Sequence, residues 1–402
     1  MSDASGRRTF SFIVASVSVV SVSFGSGAPV PFFPLYEQAY GIPPAGLTGG
    51  YALYILSAAA VLLFAGRLSD SLGRKSVTMF GLLFSIAGCA CFAVVDGLAS
   101  LLLARVLTGC AVGLSMSGIA SYVIDLHRPG RLTLAATIAG AGTPFGTALG
   151  AITAGLLIEW GAAPQVPFIG IATVNALALI GLIFAVETRP PGSRAALRLE
   201  FALAVPTRIR FAFITACAGF VATWILGGMY QSLGPTITAT SFYDDDRILA
   251  ASVLASVVGT SVFGGPLTAR FRARTATIIG LAMFVVGVGS IALAAHVHSL
   301  ALFFGANFLS GLGFGATFAA GLRALLERIS ADERAGVISA VYLVSYVGTA
   351  IPTFFAGVLV PQLGLTAVLD LTCALIILLA VLCLVGTIWP RRERPAPNHD
   401  AN

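Results

Sequence analysis

Charged side chains are scarce in this chain. Only 10% of its 402 residues are Asp, Glu, Lys or Arg, against about 25% in an average soluble domain. So few charges cannot cover the surface of a soluble fold of this length. Cysteine is equally uninformative as chemistry: Cys89, Cys91, Cys110, Cys217, Cys373 and Cys383 all fall inside apolar stretches. They have neither disulfide nor zinc spacing and read as small packing residues. The four histidines, His127, His296, His298 and His399, lie in loops, at a turn and near the C-terminus. None clusters with carboxylates inside an apolar run, so the sequence gives no reason to expect a metal, a cofactor or an intramembrane enzyme. A glycine-rich nucleotide-binding loop is also missing, which argues against ATP-driven work by this chain.

What the chain does have is hydrophobic length. Apolar residues make up 57% of it, with 45 glycines suited to close helix packing in lipid. A membrane-crossing helix needs about 20 mostly apolar residues. Twelve such runs can be read: 10–33, 46–65, 76–95, 98–124, 132–157, 165–187, 210–231, 248–269, 275–295, 300–322, 336–360 and 365–389. Backbone polar groups must be satisfied internally in hydrocarbon, so the runs are expected to be helices and the fold an all-α membrane protein. Arg7 and Arg8 precede the first run as in a secretory signal, but that run is too long for one, and it is expected to be a retained first helix.

Basic residues orient the runs. With the N-terminus in the cytosol, 21 of the 23 Lys and Arg fall in cytosolic segments, leaving Arg247 outside and Arg105 within a run. A missed or extra crossing would scramble that bias, so it supports the even count, cytosolic termini and a plasma-membrane location. The net charge of +6 is therefore an orientation signal and not a nucleic-acid surface. Acids sit in the opposite loops, including Asp244–Asp246, which is expected to cap the eighth helix.

The expected organisation is a six-helix half over 1–187, a proline- and arginine-rich cytosolic linker over 188–210, a second half over 211–389 and a disordered tail over 390–402. The halves repeat at an offset of 202 residues. Gly109 matches Gly311, Gly113 matches Gly315, Arg105 meets Asn307, Asp125 meets Glu327 and Gly146 meets Gly348. Two pseudo-symmetric six-helix halves with a site between them at the midplane is a transporter plan.

The turn between the second and third runs reads G-R-L-S-D-S-L-G-R-K from Gly66 to Lys75. Gly66, Leu68, Asp70, Gly73, Arg74 and Lys75 fit the G-x-L-x-D-x-x-G-R-K signature, and with the duplicated halves the chain resembles the major facilitator superfamily over about residues 8–390. Arg105-x-x-Thr-Gly109, Pro31-Phe-Phe-Pro-Leu-Tyr36 and Glu187-Thr-Arg-Pro190 look like its twelve-helix drug:proton antiporter branch. In the fifth run Gly142, Pro144, Gly146 and Gly150 are spaced differently from that branch's signature. The resemblance implies the major facilitator fold and alternating-access secondary transport, not an enzyme.

Arg105 is the sharpest single signal. A charge inside an apolar run is expected to face the central cavity and to serve substrate binding or proton coupling. The rest of the cavity is expected to be neutral and aromatic: Tyr51, Tyr54, Trp224, Tyr230, Gln231, Asn307, Tyr342 and Tyr346. Such a lining suits a small amphiphilic organic substrate. No carboxylate lies at mid-depth in a cavity-forming run, so proton coupling falls to Glu37 or Asp370, to an anionic substrate neutralising Arg105, or is absent. Gly66, Asp70, Gly73, Arg74, Lys75 and Asp125 are expected to form a cytosolic gate, with the eleventh helix docking its N-terminus on Asp70. Export of a drug-like compound in exchange for protons is the leading expectation. Uptake or facilitated diffusion of a sugar or organic anion, and a transporter-like receptor, stay open. A monomer in the bilayer is expected, with a small-molecule substrate, protons and no nucleic acid as partners.

Overall fold

The computed structural model describes residues 2–127, 132–189, 205–242, 246–330 and 333–389, and no side chain over 64–71. Among them the chain is all helix. The first half holds α1 (Ser2–Gly27), α2 (Phe33–Tyr40), α3 (Pro44–Leu72), α4 (Arg74–Ala93), α5 (Leu98–Leu114), α6 (Ala120–Asp125), α7 (Leu132–Glu159) and α8 (Val166–Phe184). The second holds α9 (Arg210–Phe242), α10 (Arg247–Thr268), α11 (Ala273–His296), α12 (Leu300–Leu326), α13 (Arg334–Leu363) and α14 (Leu365–Ile388). Twelve segments are long and apolar enough to cross a membrane. Two are compound. The first joins α1 to α2 through a 3₁₀ turn, Val30–Phe32, and the fourth joins α5 to α6 through a π-helical segment, Ser115–Ile119.

Edges differ from the sequence expectation at three places. The first span runs on to Tyr40, α3 stays helical past Ala65 to Leu72 so that the turn is confined to Gly73, and the seventh span continues past Gln231 to Phe242 through Ser-Leu-Gly-Pro. Pro235 removes the N–H that would reach the Gln231 carbonyl. Hydroxyls bond carbonyls of the flanking turns, with Ser232 donating to Gly228 O at 2.8 Å and Thr238 to Pro235 O at 2.7 Å. Asp246 caps α10 as expected, accepting from Ile248 N at 2.7 Å and Leu249 N at 3.0 Å.

Outward faces are apolar. Ile214, Ile183 and Val385 are 68%, 60% and 55% exposed, an arrangement stable only against lipid. Inside, small residues set the spacing. A Cβ on Gly109 would lie 2.0 Å from Ser57 Oγ, and one on Gly311 would lie 1.9 Å from Thr260 Oγ1. The same backbone approach thus joins α5 to α3 and α12 to α10, so the repeat read at Gly109 and Gly311 is a repeat of packing. The halves meet where α3 packs on α13 and on α9, and where α7 packs on α10.

The basic residues gather at one end. Arg8 donates to Asp125 O at 2.7 Å, Lys75 Nζ to Ile183 O at 3.0 Å, and Arg274 Nη2 to Ile388 O at 2.8 Å. Arg323 Nη1 reaches Ala269 O, at the α10 C-cap, at 3.2 Å. Each cation satisfies helix-terminal carbonyls, where a positive charge suits the dipole. At the far end His296 holds Asp370, Nε2 to Oδ2 at 2.9 Å.

Candidate functional site

Two side-chain clusters face the question of function, one in each half. In the first half Arg105, on α5, is fully buried. Its guanidinium carbon lies 5.0 Å from the centre of the Phe33 ring, 5.7 Å from Phe92 and 5.8 Å from Tyr54. Nη1 donates to Ser26 O at 3.3 Å, where the first span breaks. Nε and Nη2 have no hydrogen-bond partner, and neither does the buried hydroxyl of Tyr36. In this structure α2, α3 and α4 wall Arg105 in with aromatic rings. The reason is physical, since a charge near the bilayer centre costs roughly 2.5–3.5 kcal/mol on insertion scales and ring faces recover part of it.

Asn307 occupies the matching place in the second half. It is buried on α12 and accepts from Tyr230 Oη, on α9, at 2.7 Å. Arg105 and Asn307 therefore each reach the first span of their own half. Tyr230 is buried, edge-on to Phe303, which in turn packs on Phe242.

Three of the aromatic residues expected at the midplane, Trp224, Tyr342 and Tyr346, lie against one another. Trp224 sits edge-on to Tyr346 with centroids 4.9 Å apart, and to Tyr342 at 6.5 Å. Tyr342 and Tyr346 are 5.9 Å apart, and Phe318 closes the group 5.9 Å from Tyr342. Phe314 and Phe318 were not anticipated; they lie at positions 3 and 7 residues beyond Gly311, hidden in an all-apolar run. The Tyr346 hydroxyl donates to the sulfur of Met116, which belongs to the π-helical segment of the opposite half. Such segments are frequent at functional positions. Tyr51 of α3 also crosses, since a Cβ on Gly228 of α9 would lie 2.6 Å from its ring. Trp224 Nε1 and Gln231 Oε1 are buried without partners.

At the basic end Arg74 pairs with Asp125, Nε to Oδ2, at 3.1 Å. Gly66 and Asp70 lie in the stretch whose side chains are not described, so the expected docking on Asp70 falls outside the described residues. A residue noticed only through family likeness does the organising. Glu187 accepts from Arg74 N at 3.0 Å, Lys75 N at 3.1 Å and Arg189 N at 3.1 Å, capping α4 from the end of the sixth span. A Cβ on Gly73 would lie 2.6 Å from Glu187 Oε2. The signature glycine keeps that carboxylate's place open.

Among the acids, Glu37 is half-buried beside Tyr36 on α2, whereas Asp370 is 39% exposed and held by His296 at the far end. Glu333, just before α13, is pushed down to about 2 by the Arg208 side chain and by the Ser330 amide and hydroxyl. It therefore stays ionised around neutrality and cannot carry a proton there. No group of three His, Cys, Asp or Glu fit for a metal occurs among the described residues.

The profile of the Major Facilitator Superfamily matches residues 15–227 and 211–402. The crystal structure of a POT family transporter in complex with 5-aminolevulinic acid superposes with a TM-score of 0.76 at 15% identity, covering 95% of this chain and 96% of that one. A POT family transporter in complex with a thioalcohol-conjugated peptide gives 0.73 at 16%, covering 95% and 96%. At those identities the likeness is one of fold. Quinolone resistance protein NorA of Staphylococcus aureus is 28% identical over 109 residues, 27% of this chain and 28% of that protein. Human solute carrier family 2, facilitated glucose transporter member 6 is 40% identical over 136 residues, 32% of this chain and 26% of that protein. The chain thus aligns with about a quarter of the length of these curated relatives. With twelve helices long and apolar enough to cross a membrane among the described residues, a duplicated packing pattern and a family profile matching both halves, the chain belongs to the Major Facilitator Superfamily and is a multi-pass membrane protein.

Proposed function

We propose that the protein exports an amphiphilic, drug-like compound in exchange for protons. The observation that carries this reading is the aromatic group of Trp224, Phe318, Tyr342 and Tyr346 meeting Met116 across the two halves. An apolar wall with a few buried polar atoms, here Trp224 Nε1 and Gln231 Oε1, fits a solute with a hydrophobic body and one or two polar groups. The partial likeness to a quinolone resistance protein supports the same direction. In this reading the basic end faces the cytosol of a plasma membrane, the protein works as a monomer, and Gly66, Asp70, Gly73, Arg74, Lys75 and Asp125 form its cytosolic gate. Glu37 carries the coupled proton, because Asp370 is already held by His296 away from the halves' interface.

The test is accumulation of a fluorescent hydrophobic compound in cells overproducing the protein. Export predicts lower accumulation, restored by collapsing the proton gradient, lost with Trp224→Ala, and uncoupled from the gradient with Glu37→Gln. A second reading, facilitated diffusion of a sugar, is favoured by the segment 40% identical to a facilitated glucose transporter. Gradient-independent sugar entry with unchanged dye accumulation would establish that reading and sink export.

A further inference from the structure

The second half contains a cavity of its own, apart from the aromatic group between the halves. It measures about 110 Å³ and lies between α9, α11, α12 and α14. Its walls are mostly small or apolar, with Phe211, Ala212, Ala216, Phe220, Ala324 and Leu325 among them. Drug-sized ligands take roughly 300–1,000 Å³, so the transported solute does not fit here. An apolar cavity of ~150 Å³ holds benzene, so this one has room for part of a hydrocarbon chain.

The mouth of the cavity is basic. Arg274 and Arg328 both line it, Arg274 in the first turn of α11 and Arg328 just beyond the end of α12. Arg274 Nε donates to Thr387 O at 3.2 Å and Nη2 to Ile388 O at 2.8 Å, which sets its guanidinium level with the end of α14. Glu327, beside Arg328 in the sequence, does not line the cavity and pairs with Arg323 at 3.9 Å. No side chain caps the α11 N-terminus, so its orphan amides add partial positive charge at the same end.

The mouth also lies at the edge of the lipid. Trp389, which follows Ile388, is largely exposed, as residues of a membrane-interface belt are. Ile214 and Val385 are exposed to hydrocarbon, and their neighbours Thr215 and Gly386 line the cavity. Phe211 is both exposed and part of the lining, so one wall continues from the outer surface into the half. An apolar slot that opens at headgroup level beside two arginines fits an amphiphile with an anionic head, and the bilayer supplies one. We propose that the cavity binds an anionic glycerophospholipid from the leaflet at the basic end. Its phosphate lies on Arg274 and Arg328, as suits guanidinium groups, and the upper part of one acyl chain enters between α9 and α12. The headgroup joins the start of α11 to the end of α12, so the lipid stabilises the second half without bridging the two halves.

The test uses the full chain, purified in a neutral detergent and stripped of lipid. Phosphatidylglycerol, phosphatidylcholine or glycerol 3-phosphate is titrated at constant ionic strength and the melting temperature is read. A ligand bound only by the folded protein raises that temperature along a saturable curve. Phosphatidylglycerol should do so. Phosphatidylcholine, without net charge, and glycerol 3-phosphate, without a chain, should not. Arg274→Gln and Arg328→Gln should each move the midpoint about fivefold higher, the share of one arginine at an anionic surface. Arg334→Gln, exposed and outside the cavity, should leave the midpoint unchanged. Ala216→Phe fills the slot without altering charge and should abolish the shift. Should Ala216→Phe fail to fold, native mass spectrometry of the unaltered protein decides: one phosphatidylglycerol retained in preference to phosphatidylcholine supports the site, and equal retention overturns it. Equal melting shifts with the two lipids, an equal shift with glycerol 3-phosphate, an effect of Arg334→Gln as large as that of Arg274→Gln, or a shift that survives Ala216→Phe also overturns the proposal. None of these outcomes bears on export, which is read by accumulation in cells.

Discussion

At the scale of single residues, this bundle depends on atoms it does without. Gly311 lets α12 approach α10 until a Cβ would lie 1.9 Å from Thr260 Oγ1 and 2.5 Å from the Val257 carbonyl. The second neighbour is backbone and cannot rotate away. Gly311→Ala should therefore destabilise the protein by ~1–3 kcal/mol, the usual range for overpacking. Gly289→Ala, with nothing within 4 Å, should be neutral. Melting in detergent checks both, and equal temperatures for the two variants would refute the packing argument. Gly109 and Gly311 were legible in the sequence because the repeat aligned them. Arg105 was legible because a charge stands out in an apolar run. Its enclosure was not, since Phe33, Tyr36 and Phe92 look the same in sequence whether they pack together, face lipid or wrap a cation.

At the scale of elements, helix ends govern how the pieces join. The α4 N-terminus starts after Gly73, whose φ of 91° favours glycine. The Glu187 carboxylate then binds the Arg74 and Lys75 amides, where a negative charge also suits the helix dipole. Lys75 returns the favour by donating to the Ile183 and Ala185 carbonyls at the end of the sixth span. The N-terminal end of the third span and the C-terminal end of the sixth are therefore stapled twice. Glu187→Ala should lose about 0.5–2 kcal/mol, the range of a lost cap. Glu187→Gln should retain a good part of it, because its oxygen still accepts. Thermal unfolding of the two variants decides: if Gln is as damaging as Ala, charge is the whole effect; if neither moves the midpoint, the cap is idle. The sequence showed helix existence well because hydrophobic length leaves little choice in lipid. Helix ends were less legible. The α9 extension runs through Pro235, a residue type that usually ends helices, and the cap on α4 depends on a residue more than 100 positions away.

At the scale of the whole molecule, the duplicated halves meet most tightly near the far end, where α3 begins and α13 ends. Thr48 donates to the Phe354 carbonyl at 3.3 Å, and a Cβ on Gly357 would lie 2.0 Å from Thr48 Oγ1 and 2.7 Å from the Pro44 carbonyl. The proposed exchange would require this contact to break and re-form on every cycle, because a site between the halves that is open at both ends cannot couple fluxes. Gly357→Ala obstructs the closed arrangement and spares the open one. It should shift the population towards the far-open state and slow turnover, since a change of ~1.4 kcal/mol in that equilibrium is tenfold. The protein should still fold and insert, because Gly357 meets the other half and not its own. Thr48→Ala removes the nearer obstruction, so the double variant should recover part of the lost rate even though the Pro44 carbonyl remains. Coupling of this kind between contacting residues is what a double-mutant cycle measures. Solute flux in reconstituted vesicles is the readout. Additive losses in the double variant, or an undiminished rate in Gly357→Ala, would show that the far-end contact is not part of the cycle.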